Sequence, residues 1–88
     1  MNKLYSQIKS SYDTIDTHVN IDNSKRRIAE VDILAKRGDI IDVYEVKCSY
    51  KIVKARKQLK RIKRILNSQN INLFFFCGES SRLEEVLI

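Results

Sequence analysis

Two carboxylates and an ammonium flank Gly38-Asp39. Asp32 lies in the run Glu30-Val31-Asp32-Ile33-Leu34-Ala35, and Glu45 and Lys47 lie in Val43-Tyr44-Glu45-Val46-Lys47. Brought together, such side chains can hold a hard divalent cation. Mg2+ binds through one or two carboxylates, keeps several waters and leaves room for a substrate phosphate. It polarises a phosphodiester and acidifies a bound water, while Lys47 can position that water or balance the developing charge. A Glu-x-Lys tripeptide alone is common in any charged sequence. Its weight here comes from the elements that must position it.

Gly at the first central position of Gly38-Asp39 suits a two-residue hairpin turn of type II′ between strands at about 27–36 and 40–48. That turn fixes a register in which paired residue numbers sum to 77, so Asp32 faces Glu45 and Glu30 faces Lys47. Strand side chains alternate, which puts all four on one face. Opposed like charges destabilise a hairpin, and the neighbouring positions Val31, Ile33, Leu34, Ile41, Val43 and Val46 are apolar. A cation between the carboxylates would explain their placement.

The other elements follow from periodicity. Leu4, Tyr5, Ile8, Tyr12 and Ile15 fall at helical spacing within residues 3–15. Thr17 to Asp22 alternates as a short strand, with Val19 and Ile21 on one side, and Asp22-Asn23-Ser24-Lys25 reads as a turn. Residues 50–67 form the clearest helix, with Ile52, Ala55, Leu59, Ile62 and Leu66 as one apolar stripe. Ile71 to Cys77 is an apolar run suited to a strand buried on both faces. Ser81-Arg82-Leu83-Glu84 offers a capping box for a short C-terminal helix. The expected order is αβββαβα, in a single α/β domain of 88 residues.

Net charge is +6, and its distribution says more than its sum. Residues 51–64 hold eight basic residues and no acidic one, while the rest of the chain carries nine basic and eleven acidic. A solvated face normally mixes both signs. A segment of one sign points instead to a polyanion, met by Lys54, Arg56, Lys57, Lys60, Arg61 and Arg64. No aromatic interrupts the run to stack on single-stranded bases, so backbone recognition of duplex or branched DNA is favoured. The longest apolar stretch, Leu73 to Cys77, is too short to cross a bilayer. Cys48 and Cys77 lie in apolar runs without paired CxxC spacing and read as buried thiols of a cytoplasmic protein. Tyr44, Tyr50 and Phe74-Phe75-Phe76 read as core. His18, the only histidine, cannot make a zinc site alone; any role for it would be near the metal, from the first strand.

The hairpin resembles the active-site hairpin of the PD-(D/E)XK nuclease superfamily, and within it is most similar to archaeal Holliday-junction resolvases and small restriction-like endonucleases. The likeness runs from the first helix to the Ile71–Cys77 strand, since that superfamily core is αβββαβ. It implies a restriction-endonuclease-like fold with a mixed sheet and flanking helices. It also implies Asp32, Glu45 and the Val46 carbonyl as ligands of Mg2+, with Mn2+ able to substitute, and Lys47 as the catalytic lysine. Gln58-Leu59 matches a Gln-apolar pair that some members carry on the helix after the hairpin. The further acidic ligand of the resolvases' first helix has no Glu counterpart before Glu30. Gln7, Asp13, Asp16 or Glu30 itself would have to take its place. The expectation is a Mg2+-dependent, structure-selective endonuclease acting on DNA as a homodimer. Its rivals are a restriction- or repair-type nuclease on other DNA, or a catalytically silent nucleic-acid-binding module of the same fold.

Overall fold

The computed structural model describes residues 2–22, 27–66 and 70–87. In chain order its elements are helix α1 (Asn2–Ile8), a 3-10 turn (Lys9–Ser11), strands β1 (Thr14–Asp22), β2 (Arg27–Arg37) and β3 (Ile40–Lys47), helix α2 (Ile52–Leu66), and strands β4 (Ile71–Cys77) and β5 (Arg82–Val86). The five strands form one sheet in the order β1-β2-β3-β4-β5. β3 and β4 run parallel, and the other neighbouring pairs are antiparallel. A parallel pair needs a long crossover, which α2 supplies.

Each face of the sheet buries one helix. The stripe of α2 (Ala55, Leu59 and Ile62, all fully buried) packs on Val31, Val43, Leu73, Phe75 and Cys77, with Ile52 and Leu66 at its ends. On the other face Leu4 and Ile8 of α1 pack on Ile33, Ala35, Tyr44 and Phe76. β4 feeds both cores from alternate residues, as its continuous apolar sequence requires. The hairpin turn has Gly38 at φ +58° and Asp39 outside the positive-φ region, which fits type II′ and not type I′. The Gly38 N–H donates to Asp13 Oδ2 at 2.8 Å, tying the turn to the start of β1.

Two elements and two residue placements differ from the sequence reading. The first helix stops at Ile8 rather than running to residue 15, and Tyr12 is already extended. Tyr12 and Ile15 pack on the same core as Leu4 and Ile8, so a helix and then a strand share one apolar surface and imitate a single stripe. Tyr12 is held there by its hydroxyl, which donates to Asp42 and lies 2.6 Å from the Tyr44 hydroxyl. The expected C-terminal helix is instead strand β5, antiparallel to β4. Ser81, at φ +55°, turns the chain back so that β5 takes up backbone groups along β4 that a helix would leave open. Finally, Cys48 is exposed, with only Cys77 buried, and Tyr50 is exposed rather than core. Its hydroxyl donates to Glu84 at 2.7 Å. The expected turn at Asp22-Asn23-Ser24-Lys25 lies, beyond Asp22, outside the described residues.

A further departure bears on the site. Val31 belongs to the α2 core, but Ile33 and Ala35, two and four residues on, belong to the α1 core. In β1, Ile15 packs with the α1 core and Val19 and Ile21 with the α2 core. Residues two apart share a face in an unbroken strand, so alternation reverses in both strands. The reversal falls at His18 and Asp32, where the β1-β2 ladder skips a pair between Thr17↔Ile33 and Val19↔Val31. His18 takes up the change with φ +53°, a conformation that His tolerates and β-branched residues do not. His18→Val should therefore cost about 1–3 kcal/mol, while His18→Gly should stay within about 1 kcal/mol of the parent. Urea denaturation of both variants measures this; equal losses would place the reversal elsewhere.

Candidate functional site

The β2-β3 ladder follows the expected register from Arg37↔Ile40 to Ile33↔Tyr44 and ends there. Asp32 and Glu45 are thus not a backbone pair, and Glu30 does not face Lys47, contrary to the sequence reading. The cause is Asp32 itself, whose Oδ2 accepts the Val46 N–H at 2.8 Å in place of a backbone acceptor. In an extended strand the N–H and C=O of one residue point to the same edge. The Val46 carbonyl is therefore directed to the β2 side, while the Lys47 carbonyl turns to β4 and accepts the Gly78 N–H at 2.7 Å. The chain places Asp32, Glu45 and the Val46 carbonyl around the end of the ladder.

Glu45 is 2% exposed. Its Oε1 lies 3.2 Å from the Lys47 ammonium, and its Oε2 is buried with no hydrogen-bond partner. Burial and then the nearby charge of Asp32 push its carboxyl up to about 7, while Lys47 pulls the other way. A buried polar atom without a partner carries a desolvation cost, and two crowded carboxylates add repulsion. A cation between them relieves both, so the donors present fit a hard divalent ion. Lys47 is one-third exposed and stands between Glu45 and solvent.

Glu30 is grouped with β1 rather than with Lys47. Its Oε1 lies 3.8 Å from His18 Nδ1, and donor atoms of His18, Glu30 and Asp32 all lie within 4.8 Å of one another. The sequence reading already put Glu30 and Asp32 on one face, and His18 joins them where the β1-β2 ladder skips its pair. Gln58 is at this cluster too: its Nε2 donates to the Glu30 carbonyl at 3.1 Å, a structural tie between α2 and β2.

That tie orients the basic helix. Lys54 and Arg61 lie four residues before and three after Gln58, hence on its side of α2, and Lys57 adjoins it. Lys54, Arg56, Lys57, Lys60, Arg61 and Arg64 are all exposed. Among the described residues no helix is long and apolar enough to cross a membrane. Comparison with protein-family models, curated proteins and solved structures gave no match.

The raised Glu45 carboxyl gives a sign to the pH dependence of stability. Below about 4.5, its ordinary value, Glu45 is protonated folded or unfolded. Between there and about 7 the unfolded chain ionises while the folded one keeps its proton, so this contribution to stability is lost as pH rises. In EDTA, the urea midpoint of the parent should fall over that interval relative to Glu45→Gln and run parallel to it above pH 7.5. Parallel profiles throughout would mean that Glu45 is not held in the strained, buried state described.

Proposed function

We propose that this protein is a Mg2+-dependent DNA endonuclease that hydrolyses phosphodiester bonds with Asp32, Glu45 and Lys47. The observation that carries the reading is Glu45: a carboxylate 2% exposed, with one oxygen lacking any partner, beside Asp32 and against Lys47. Asp32, Glu45 and the Val46 carbonyl would hold the ion, which when bound supplies Lewis acidity and an acidified water. Mn2+ could replace it. The Lys47 ammonium neutralises Glu45 and stands where it can orient a water or stabilise charge on a phosphoryl oxygen. Lys54, Lys57 and Arg61, beside Gln58, would hold the DNA backbone across the cluster, with Arg56, Lys60 and Arg64 extending the surface.

The αβββαβ order from α1 to β4, with a mixed sheet between helices, supports assignment to the PD-(D/E)XK superfamily and its restriction-endonuclease-like fold. Junction resolution by a homodimer is the preferred form, because two sites on one basic surface suit symmetrical cleavage. One observation favours a second reading. Helix α1 carries no carboxylate, as a silent nucleic-acid-binding module of the same fold would also have it. Incubation with labelled four-way junction and matched linear duplex, in Mg2+ and in EDTA, separates the readings. Paired nicks in the junction alone are expected; cleavage of the linear duplex would indicate a restriction- or repair-type enzyme. Binding without cleavage would establish the silent module.

Two variants divide the proposed roles. Lys47→Ala should lower the cleavage rate by about 10²–10⁴ and leave the DNA Kd within a few-fold. Rates near the parent's would remove Lys47 from the chemistry. Changing Lys54, Lys57 and Arg61 together to Ala should weaken binding to all sequences alike. The slope of log K against log salt should flatten by about 0.9 per lost phosphate contact. An unchanged slope would show that this side of α2 faces solvent.

A further inference from the structure

We infer that Tyr50, Ile52 and Val53, with Lys51, Lys54 and Lys57 around them, form a stacking site for an unpaired nucleobase. The protein therefore prefers DNA whose duplex gives way to unpaired nucleotides, as at an opened branch point. The inference rests on the nuclease reading for DNA as the ligand and narrows the substrate. Tyr50 immediately precedes the acid-free basic segment, and the fold turns it outward: it is 46% exposed, and Val53 is 68% exposed. Exposed apolar side chains scattered singly need no explanation. These two, with Ile52 and the three lysines, line one depression of about 370 Å³ at the start of α2.

The Tyr50 ring is held in place before any ligand arrives. Its hydroxyl donates to Glu84 at 2.7 Å, the Arg82 guanidinium lies over the ring, 5.1 Å from its centroid, and Phe75 meets it edge to face with centroids 5.5 Å apart. A ring fixed by contacts from β4 and β5 loses little freedom when a base stacks on it. The surrounding charges set the side of approach. The depression has three ammoniums and no carboxylate in its lining. Tyr50 and Ile52 also line a second depression of about 330 Å³, whose charged members are Arg56, Glu84 and Glu85. A polyanion is drawn to the first and turned away from the second. An apolar floor among cations suits a base together with its phosphates, and a base offers its π face only where it has left the duplex stack. Val53, Lys57 and Arg61 follow one another at four-residue steps on one side of α2. The depression therefore opens onto the cations proposed to hold the DNA backbone.

The test compares a matched duplex with the same duplex carrying a short single-stranded gap, in which 2-aminopurine replaces one unpaired base. Both are bound to the full chain in EDTA, so that no cleavage intervenes. Stacking on the Tyr50 ring should quench the 2-aminopurine fluorescence in the parent complex. Tyr50→Leu should abolish the quenching and weaken binding to gapped DNA about tenfold, with the matched duplex held within about twofold. Tyr50→Phe, which keeps the ring, should restore both signals. Equal losses on the two DNAs, or no quenching in the parent complex, would overturn the stacking site and leave the nuclease reading standing. A parent that binds neither DNA would overturn both, and its binding to phosphatidylglycerol vesicles instead would give this surface to a membrane. Quenching in the parent complex decides the matter even if Tyr50→Leu does not fold.

Discussion

The hydrogen bond from the Val46 N–H to Asp32, 2.8 Å long, sits where the β2-β3 ladder ends, and the candidate site is arranged around it. One oxygen of a carboxylate does the work of a backbone carbonyl. β3 therefore continues straight alongside β4 as far as Lys47 while β2 is released to turn its next residues toward β1. If the ladder had gone on, Glu30 would lie opposite Lys47. A charged acceptor also makes a stronger bond than a neutral one, which suits a position where two strands part.

The two helices contribute unequally to this arrangement. α1 closes the opposite face with Leu4 and Ile8. α2 buries its stripe, touches the cluster through Gln58 and turns its cations outward, so one element joins the core to the basic surface. Ligand-binding groups held on strands and a long helix keep their positions better than groups on loops, and here every named site residue is on such an element.

Much of this was legible in the amino-acid sequence because it is local. Gly38-Asp39 announces its turn, the turn sets the register from Ile40 to Tyr44, and the stripe from Ile52 to Leu66 announces α2. What was not legible depends on residues far apart in the chain. The reversal at His18 and Asp32 is a cross-strand event, and each strand alone reads as regular alternation. β5 forms because β4 offers an edge, whereas Ser81 to Glu84 considered alone resembles a helix start. Tyr12 leaves the helical pattern because Asp42 and Tyr44, thirty and thirty-two residues on, hold its hydroxyl.

Asp42 is 5% exposed and lies on the α1 side of β3, bonded by Tyr12 and, at 3.0 Å, by Asn72 of β4. Burial, then the bond to Asp42, holds the Tyr12 phenol well above its usual range, so it remains a donor. Seen from the folding chain, this group selects among misalignments. A slip of β3 by one residue would exchange its faces and carry Asp42 in among the apolar side chains of Leu59, Ile62 and Phe75. The same slip would shift the Val46 N–H out of line with Asp32. Burying an unpaired carboxylate costs far more than the backbone bonds of a slipped ladder could return. The polar group at the middle of the sheet thus acts as an alignment key, admitting the one pairing of β3 that also completes the candidate site.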